Sequence, residues 1–174
     1  MIFYRDDEML IRNMQESDAQ IITDCEILQG YHASVEKYRM RLRHQREGKS
    51  VALVAEYRGQ VAGYIHVYWS ETTGAFAKTG YPEIVDFGVL QKFRRKGIGN
   101  KLMDAAEALA AEASDTVYLG VGLHSGYGSA QRMYIKRGYI PDGSGVWYKD
   151  EVCEPYSQCR NDDDLVLYLS KKLK

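Results

Sequence analysis

Apolar positions along the chain alternate between the two-residue period of strands and the wider spacing of helices. Glu8 to Met14 reads as a first strand, and Ser17-Asp18 as the N-cap of a helix through Leu28. Ser34 caps a second helix, in which Val35, Tyr38, Met40 and Leu42 stand among many Lys and Arg. Val51 to Tyr57 and Val61 to Trp69 are strands joined at Arg58-Gly59, a tight antiparallel hairpin. Ser70 to Tyr81 is rich in Thr and Gly and is expected to be a flexible cover over a site. The strand Ile84 to Leu90 feeds a glycine-punctuated turn and a helix from Ile98 to Ala113. Leu102, Ala105, Ala106, Leu109 and Ala113 give that helix one apolar stripe, which is core packing. Thr116 to Leu123 is a further strand. Ala130, Met133, Tyr134 and Arg137 share helical spacing before the stop at Gly138. Val146 to Lys149 and Leu165 to Leu169 close the chain as strands. The alternation predicts an α/β (α+β) domain over 1–174, with a mixed sheet and helices on both faces.

Composition narrows this little. The 174 residues suffice for one core, and 45% hydrophobic with 27% charged residues is ordinary for a globular chain. A formal net charge of −1 gives no reason to expect nucleic acid as partner. No run reaches the length of a membrane span, and the N-terminal Met-Ile-Phe-Tyr-Arg-Asp-Asp-Glu lacks the apolar core of a secretory leader, so the expected location is cytoplasmic. Cys25, Cys153 and Cys159 show no paired ligand spacing, so three free thiols and no metal are expected. His32, His44, His66 and His124 do not cluster. His124, at a strand end, is the most interesting of them.

The candidate chemistry begins at Val89-Leu90-Gln91-Lys92-Phe93-Arg94-Arg95-Lys96-Gly97-Ile98-Gly99-Asn100. Gly97 and Gly99 allow a tight turn and close approach to a ligand. The first N–H groups of the following helix have no partner within it and lie at its positive end. Arg94, Arg95 and Lys96 add charge, which makes a cradle for phosphate or pyrophosphate. Gly99 is followed by Asn100 where a nucleotide P-loop needs Lys, and Lys101-Leu102 lacks the third glycine of the dinucleotide fingerprint.

The remaining pattern, Arg94-x-x-Gly97-x-Gly99 after a strand, resembles the acyl-CoA loop of the GNAT N-acetyltransferase superfamily. The segment Ala130-x-x-Met133-Tyr134-x-x-x-Gly138-Tyr139 is similar to that family's second cofactor segment, although Tyr127 stands where many relatives carry Asn. The resemblance implies the GNAT fold, with six to seven strands, and acetyl-CoA as co-substrate. It implies cofactor contacts from Val89, Leu90, Gln91, Arg94, Arg95, Lys96, Gly97, Ile98, Gly99, Asn100, Ala130 and Tyr134. In that reading the Val89 N–H stabilises the oxyanion, Gly88 forms a bulge, and Tyr134 protonates the departing thiolate.

An alkylammonium must lose a proton before it attacks a thioester, and a carboxylate can take it. Counted back from the glycine loop, Glu83 occupies the position of the catalytic glutamate in the histone-acetylating branch. Asp86 is the alternative base. Their odd spacing puts them on opposite faces of a regular strand unless a bulge intervenes. Glu151, Glu154 and Asp162 to Asp164 are candidate borders of the acceptor cleft, and Trp69, Tyr81, Trp147, Tyr148 and Tyr156 candidate walls. The expected function is acetyl transfer to a primary amine of a small molecule. A protein lysine or N-terminal acetyltransferase, needing an open groove, and a non-catalytic acyl-CoA-binding protein are the alternatives. A homodimer through the C-terminal strands is common among such proteins.

Overall fold

A computed structural model describes all residues from Met1 to Lys174. The chain divides into two compact units, Met1–Tyr68 with Val85–Leu109, and Trp69–Ile84 with Ala110–Lys174. Of the three points of division, Ile84/Val85 and Leu109/Ala110 fall inside regular elements, and Tyr68/Trp69 falls at the end of a strand.

The first unit opens with β1 (Ile2–Arg5) and β2 (Met9–Asn13), followed by α1 (Glu16–Leu28) and α2 (Val35–Arg46). β3 (Ser50–Tyr57) and β4 (Gln60–Tyr68) form the predicted hairpin. Its turn residues Arg58 and Gly59 both take positive φ, the backbone that matches the twist of paired strands. β1, β2, β3 and β4 pair antiparallel in that order, with Ile11 opposite Ala55 and Val54 opposite Tyr64. Ala52, Val54 and Tyr64 turn one face toward Ala19 and Ile22 of α1 and Tyr38 and Leu42 of α2. On the other face, a Cβ at Gly63 would lie 3.1 Å from Leu102 of α3 (Ile98–Ala113), so helices cover both faces of this unit.

The cap of α1 lies earlier than Ser17-Asp18. Gln15 is the N-cap residue, and the Asp18 carboxylate reaches back to accept its N–H at 2.7 Å. Asp18 also holds Arg12 at 2.7 Å, and Arg12 pairs with Glu56 as well. That second task buries Asp18 on the sheet side of the helix, away from the cap position.

The second unit contains β6 (Thr116–Gly122), α4 (Gly128–Lys136), β7 (Ile140–Tyr148), β8 (Glu151–Val152) and β9 (Leu165–Lys172). β9 pairs antiparallel with both β6 and β7, and β7 turns back into β8. β5 (Glu83–Val89) starts in this unit, where Glu83 pairs parallel with Tyr118, and ends in the first. The combination of parallel and antiparallel pairing makes the sheet mixed, as expected. Nine strands are present instead of six to seven. β1 is only four residues long with none of them buried, and β8 is only two residues long, so neither carries a readable period. β7 starts well before Val146 because Ile140 and Pro141 already pair with β9. Gly143 and Gly145, both at positive φ, interrupt its register and hide the strand pattern. No helix is long and apolar enough to cross a membrane.

Candidate active site

In the first unit, the basic loop is built as a turn between two buried anchors. Leu90 follows the last residue of β5, is 3% exposed, and donates its N–H to Ala62 of β4 at 2.9 Å. Ile98 opens α3 and is 1% exposed. Between them, Phe93 is buried beside the Tyr57 ring, while Gln91, Lys92, Arg94, Arg95 and Lys96 are exposed. Arg95 and Gly97 take positive φ, which folds the chain sharply into the helix. The first helical hydrogen bond runs from the Lys101 N–H to the Gly97 carbonyl. The N–H groups of Ile98, Gly99 and Asn100 therefore precede the helical ladder. No acidic residue stands in that first turn to compete for them. Gly99 sits against Phe87, whose ring would be 3.2 Å from an added Cβ.

The loop is braced from the α1–α2 connection. The Gln29 side-chain carbonyl accepts the Gln91 N–H. Arg94 donates to the Val89 carbonyl at 3.2 Å and to the Tyr31 hydroxyl at 3.3 Å. Lys96 lies over the Tyr57 ring at 5.1 Å.

The bend in β5 is not where the glycine suggested. Asp86 carries the positive φ, 48°, whereas Gly88 does not. Gly88 is demanded by space instead: a Cβ there would stand 2.7 Å from the Tyr64 ring. Tyr64 cannot swing clear, because its hydroxyl and that of Tyr38 both donate to Glu26.

Asp86 is deeply engaged. Its carboxylate receives Lys37 at 2.9 Å and Arg41 at 2.6 Å, both from α2, and His66 Nδ1 lies 3.9 Å away. Burial pushes this carboxyl up, but Lys37, His66 and Arg41 together hold it below the ordinary carboxylate range. Arg41 also donates to the Tyr68 hydroxyl at 2.6 Å, which contacts His44 Nδ1 at 2.6 Å. Sequence reasoning missed this cluster. Lys37 and Arg41 stand one helical turn apart and could have been read as one basic stripe on α2.

In the second unit, Tyr134 lies on α4, is 6% exposed, and has its ring 5.8 Å from that of Tyr139. Burial alone raises its phenol well above the usual value, so it carries its proton at neutral pH. Gly138, at positive φ, ends the helix as predicted, and Ala130 is half-buried on the same element. Tyr127 donates to Asp163 at 2.8 Å. His124 contacts the same carboxylate at 3.0 Å, which ties it to the start of β9.

Glu83 is half-buried beside Tyr118, its partner in the β5–β6 register. Burial raises the Tyr118 phenol, and the charges of Glu83 and Glu71 raise it further. Phe76 lies on Tyr118 with centroids 4.6 Å apart, and Tyr168 meets both rings. Gly74 rests directly on the Tyr168 hydroxyl. The segment expected to cover a site is thus folded down onto an aromatic floor. Trp147 borders that floor 5.5 Å from Tyr168. Tyr156, another candidate wall, is fully exposed.

Residues 19–139 match the model of the acetyltransferase (GNAT) family. The chain belongs to the GNAT acetyltransferase family. An uncharacterised N-acetyltransferase of Chlorobaculum tepidum is 31% identical over 152 residues, covering 86% of this chain and 90% of that protein. The GNAT fold is also that of two Salmonella typhimurium structures. An acetyl transferase that modifies the N-terminal serine of 50S ribosomal subunit protein L7/L12 aligns with a TM-score of 0.71 at 11% identity, covering 99% of both chains. The putative acetyltransferase yncA, solved with its cofactor acetyl-CoA, gives 0.67 at 18% identity, covering 97% of this chain and 95% of its own.

Proposed function

We propose that the protein transfers the acetyl group of acetyl-CoA directly to a primary amine of a small molecule. The observation that carries the cofactor reading is the start of α3. Three N–H groups precede its ladder, at a glycine turn flanked by three exposed cations and free of acidic residues. That arrangement suits a pyrophosphate. Residues Gln91 to Asn100 hold the diphosphate, and Ala130 and Tyr134 border the thiol end of the cofactor.

Glu83 takes the ammonium proton, directly or through water, and frees the nitrogen lone pair. The amine attacks the thioester carbonyl, and the Val89 N–H stabilises the oxyanion. Collapse breaks the C–S bond, and Tyr134 supplies the proton to the thiolate. Asp86 does not serve as base, because two cations already hold its carboxylate.

The folded-down Gly74–Phe76 segment favours a small acceptor, since a protein chain needs an open groove. The second reading, a protein N-terminal amine, is supported by the likeness to the enzyme that modifies L7/L12. Thiol release from acetyl-CoA, measured across an amine library and a set of peptides, separates the two. Turnover confined to peptides would overturn the small-molecule reading. Glu83→Gln and Tyr134→Phe are expected to lower kcat by tenfold or more while leaving acetyl-CoA affinity unchanged, in line with general acid–base contributions of about 10²–10⁴. Arg94→Glu is expected to weaken acetyl-CoA binding instead. If it binds as tightly as the parent chain, the loop assignment fails.

A further inference from the structure

We propose that Asp86 is a positioning residue: gripped by Lys37 and Arg41 of α2, it sets the phase of β5 that leaves the Val89 N–H on the strand edge away from β4. The inference rests on the transferase reading for its consequence, but its geometry is independent of that reading.

The argument starts from alternation. In an extended strand, the N–H and C=O of one residue point to one edge, and those of the next residue to the other. Leu90 donates its N–H to Ala62, so Leu90 faces β4. Val89 then faces the opposite edge with both its groups. Its carbonyl accepts Arg94 of the following loop at 3.2 Å. The oxyanion donor assigned above therefore points to that edge.

Alternation is a matter of phase, and one irregular residue inverts it. Asp86, at φ 48°, is the irregular residue of β5. A non-glycine side chain resists that conformation, which persists only where the surroundings over-determine it. Here they do. The carboxylate is held on one oxygen by Lys37 at 2.9 Å and on the other by Arg41, whose Nε lies 2.7 Å away. Arg41 is itself held by the Tyr68 hydroxyl of β4 at 2.6 Å. His66 of β4 is fully buried 3.9 Å from the same carboxylate. Three side chains from two elements thus converge on one strained residue three positions before the proposed donor, and Tyr68 holds one of the three.

The test pairs kinetics with amide exchange. In the double variant Lys37→Met/Arg41→Met, and in Asp86→Ala, kcat is expected to fall at least tenfold with the amine KM little changed. The amides of Phe87 to Val89 are expected to exchange at least tenfold faster than in the parent protein. The acid limb of the pH–rate profile is expected to stay in place, because Asp86 is not the base. Arg41→Lys, which keeps a cation, is expected to recover most of the loss. Should the double variant fail to fold, Lys37→Met alone carries both measurements, since that side chain is 40% exposed. Two results would overturn the proposal. One is Asp86→Asn abolishing the acid limb while Lys37→Met/Arg41→Met keeps full kcat, which makes Asp86 the base. The other is unchanged exchange at Phe87 to Val89 in every variant. A parent protein that turns over no amine would count against the transferase reading, and the exchange measurement would still decide the clamp.

Discussion

His66 shows how much one buried side chain can make stability depend on pH. It is 0% exposed, and neither ring nitrogen has a hydrogen-bond partner. Burial lowers its pKa from 6.5 to about 4, with Arg41 and Lys37 adding to the effect and Asp86 opposing it. Between those two values the unfolded chain binds a proton that the folded chain refuses, so stability falls as pH falls through 6.5. Below about 4 the folded state is protonated too, and the loss levels off. The full difference corresponds to about 3 kcal/mol, of which about 2 is already lost at pH 5. The urea midpoint of the wild-type protein should therefore drop more between pH 7 and pH 5 than that of His66→Phe, which has no proton to bind. Parallel pH curves for the two proteins would show that the buried imidazole is not the cause. The same residue scale explains why Asp86 and Glu83 differ despite being carboxylates of one strand. Asp86 is met by two cations of α2, whereas Glu83 stands beside phenols and another carboxylate. The cations hold the Asp86 carboxyl below the ordinary range, while the Glu83 charge raises the phenol of Tyr118 beside it.

At the scale of elements, β5 is shaped by what presses on it. Gly88→Ala would place a methyl 2.7 Å from the Tyr64 ring, and Glu26 holds that ring in place. Overpacking of this kind costs about 1–3 kcal/mol. A thermal melt of Gly88→Ala should show the loss, and Tyr64→Leu in the same background should recover part of it by opening the space. If Gly88→Ala melts with the parent, the Tyr64 ring is free to yield and the spatial account of Gly88 is wrong. Elements with a clean period and a sharp stop were legible beforehand: α2 with its Ser34 cap, the Arg58-Gly59 hairpin, and α3 from Ile98 to Ala113. The loop from Gln91 to Asn100 was legible because glycine, cation and helix start are all local signals. Asp86 was legible as a carboxylate but not as a bend, since its partners Lys37 and Arg41 lie far away in sequence and nothing near Asp86 announces them. The bend was expected at Gly88 because glycine tolerates positive φ, and the actual demand there is for room. The start of β7 was hidden for a related reason, as Pro141, Gly143 and Gly145 have the composition of a loop while the pairing with β9 makes a strand.

For the molecule as a whole, the two compact units raise the question of how the chain unfolds. Separate folding domains are usually joined by exposed linkers that few contacts cross. Here the divisions fall at Tyr68/Trp69, within β5 at Ile84/Val85, and within α3 at Leu109/Ala110. A strand and a helix therefore run without interruption from one unit into the other. Melting the second unit would fray α3 in its last turn and β5 at its first residues, melting the first would remove the rest of both, and helix formation is cooperative along the chain. Neither unit is one continuous stretch of sequence, so neither can fold without closing a loop through residues of the other. The expected behaviour is one transition at 174 residues, with a calorimetric enthalpy equal to the van't Hoff enthalpy. Acetyl-CoA, by binding only the folded chain, should move that single transition upward by about 2.7 kcal/mol of stability at a hundredfold excess over its dissociation constant, without splitting it. Two resolved peaks, of which acetyl-CoA moves one alone, would mean that the units unfold independently and that the loop and α4 segments answer to the cofactor separately.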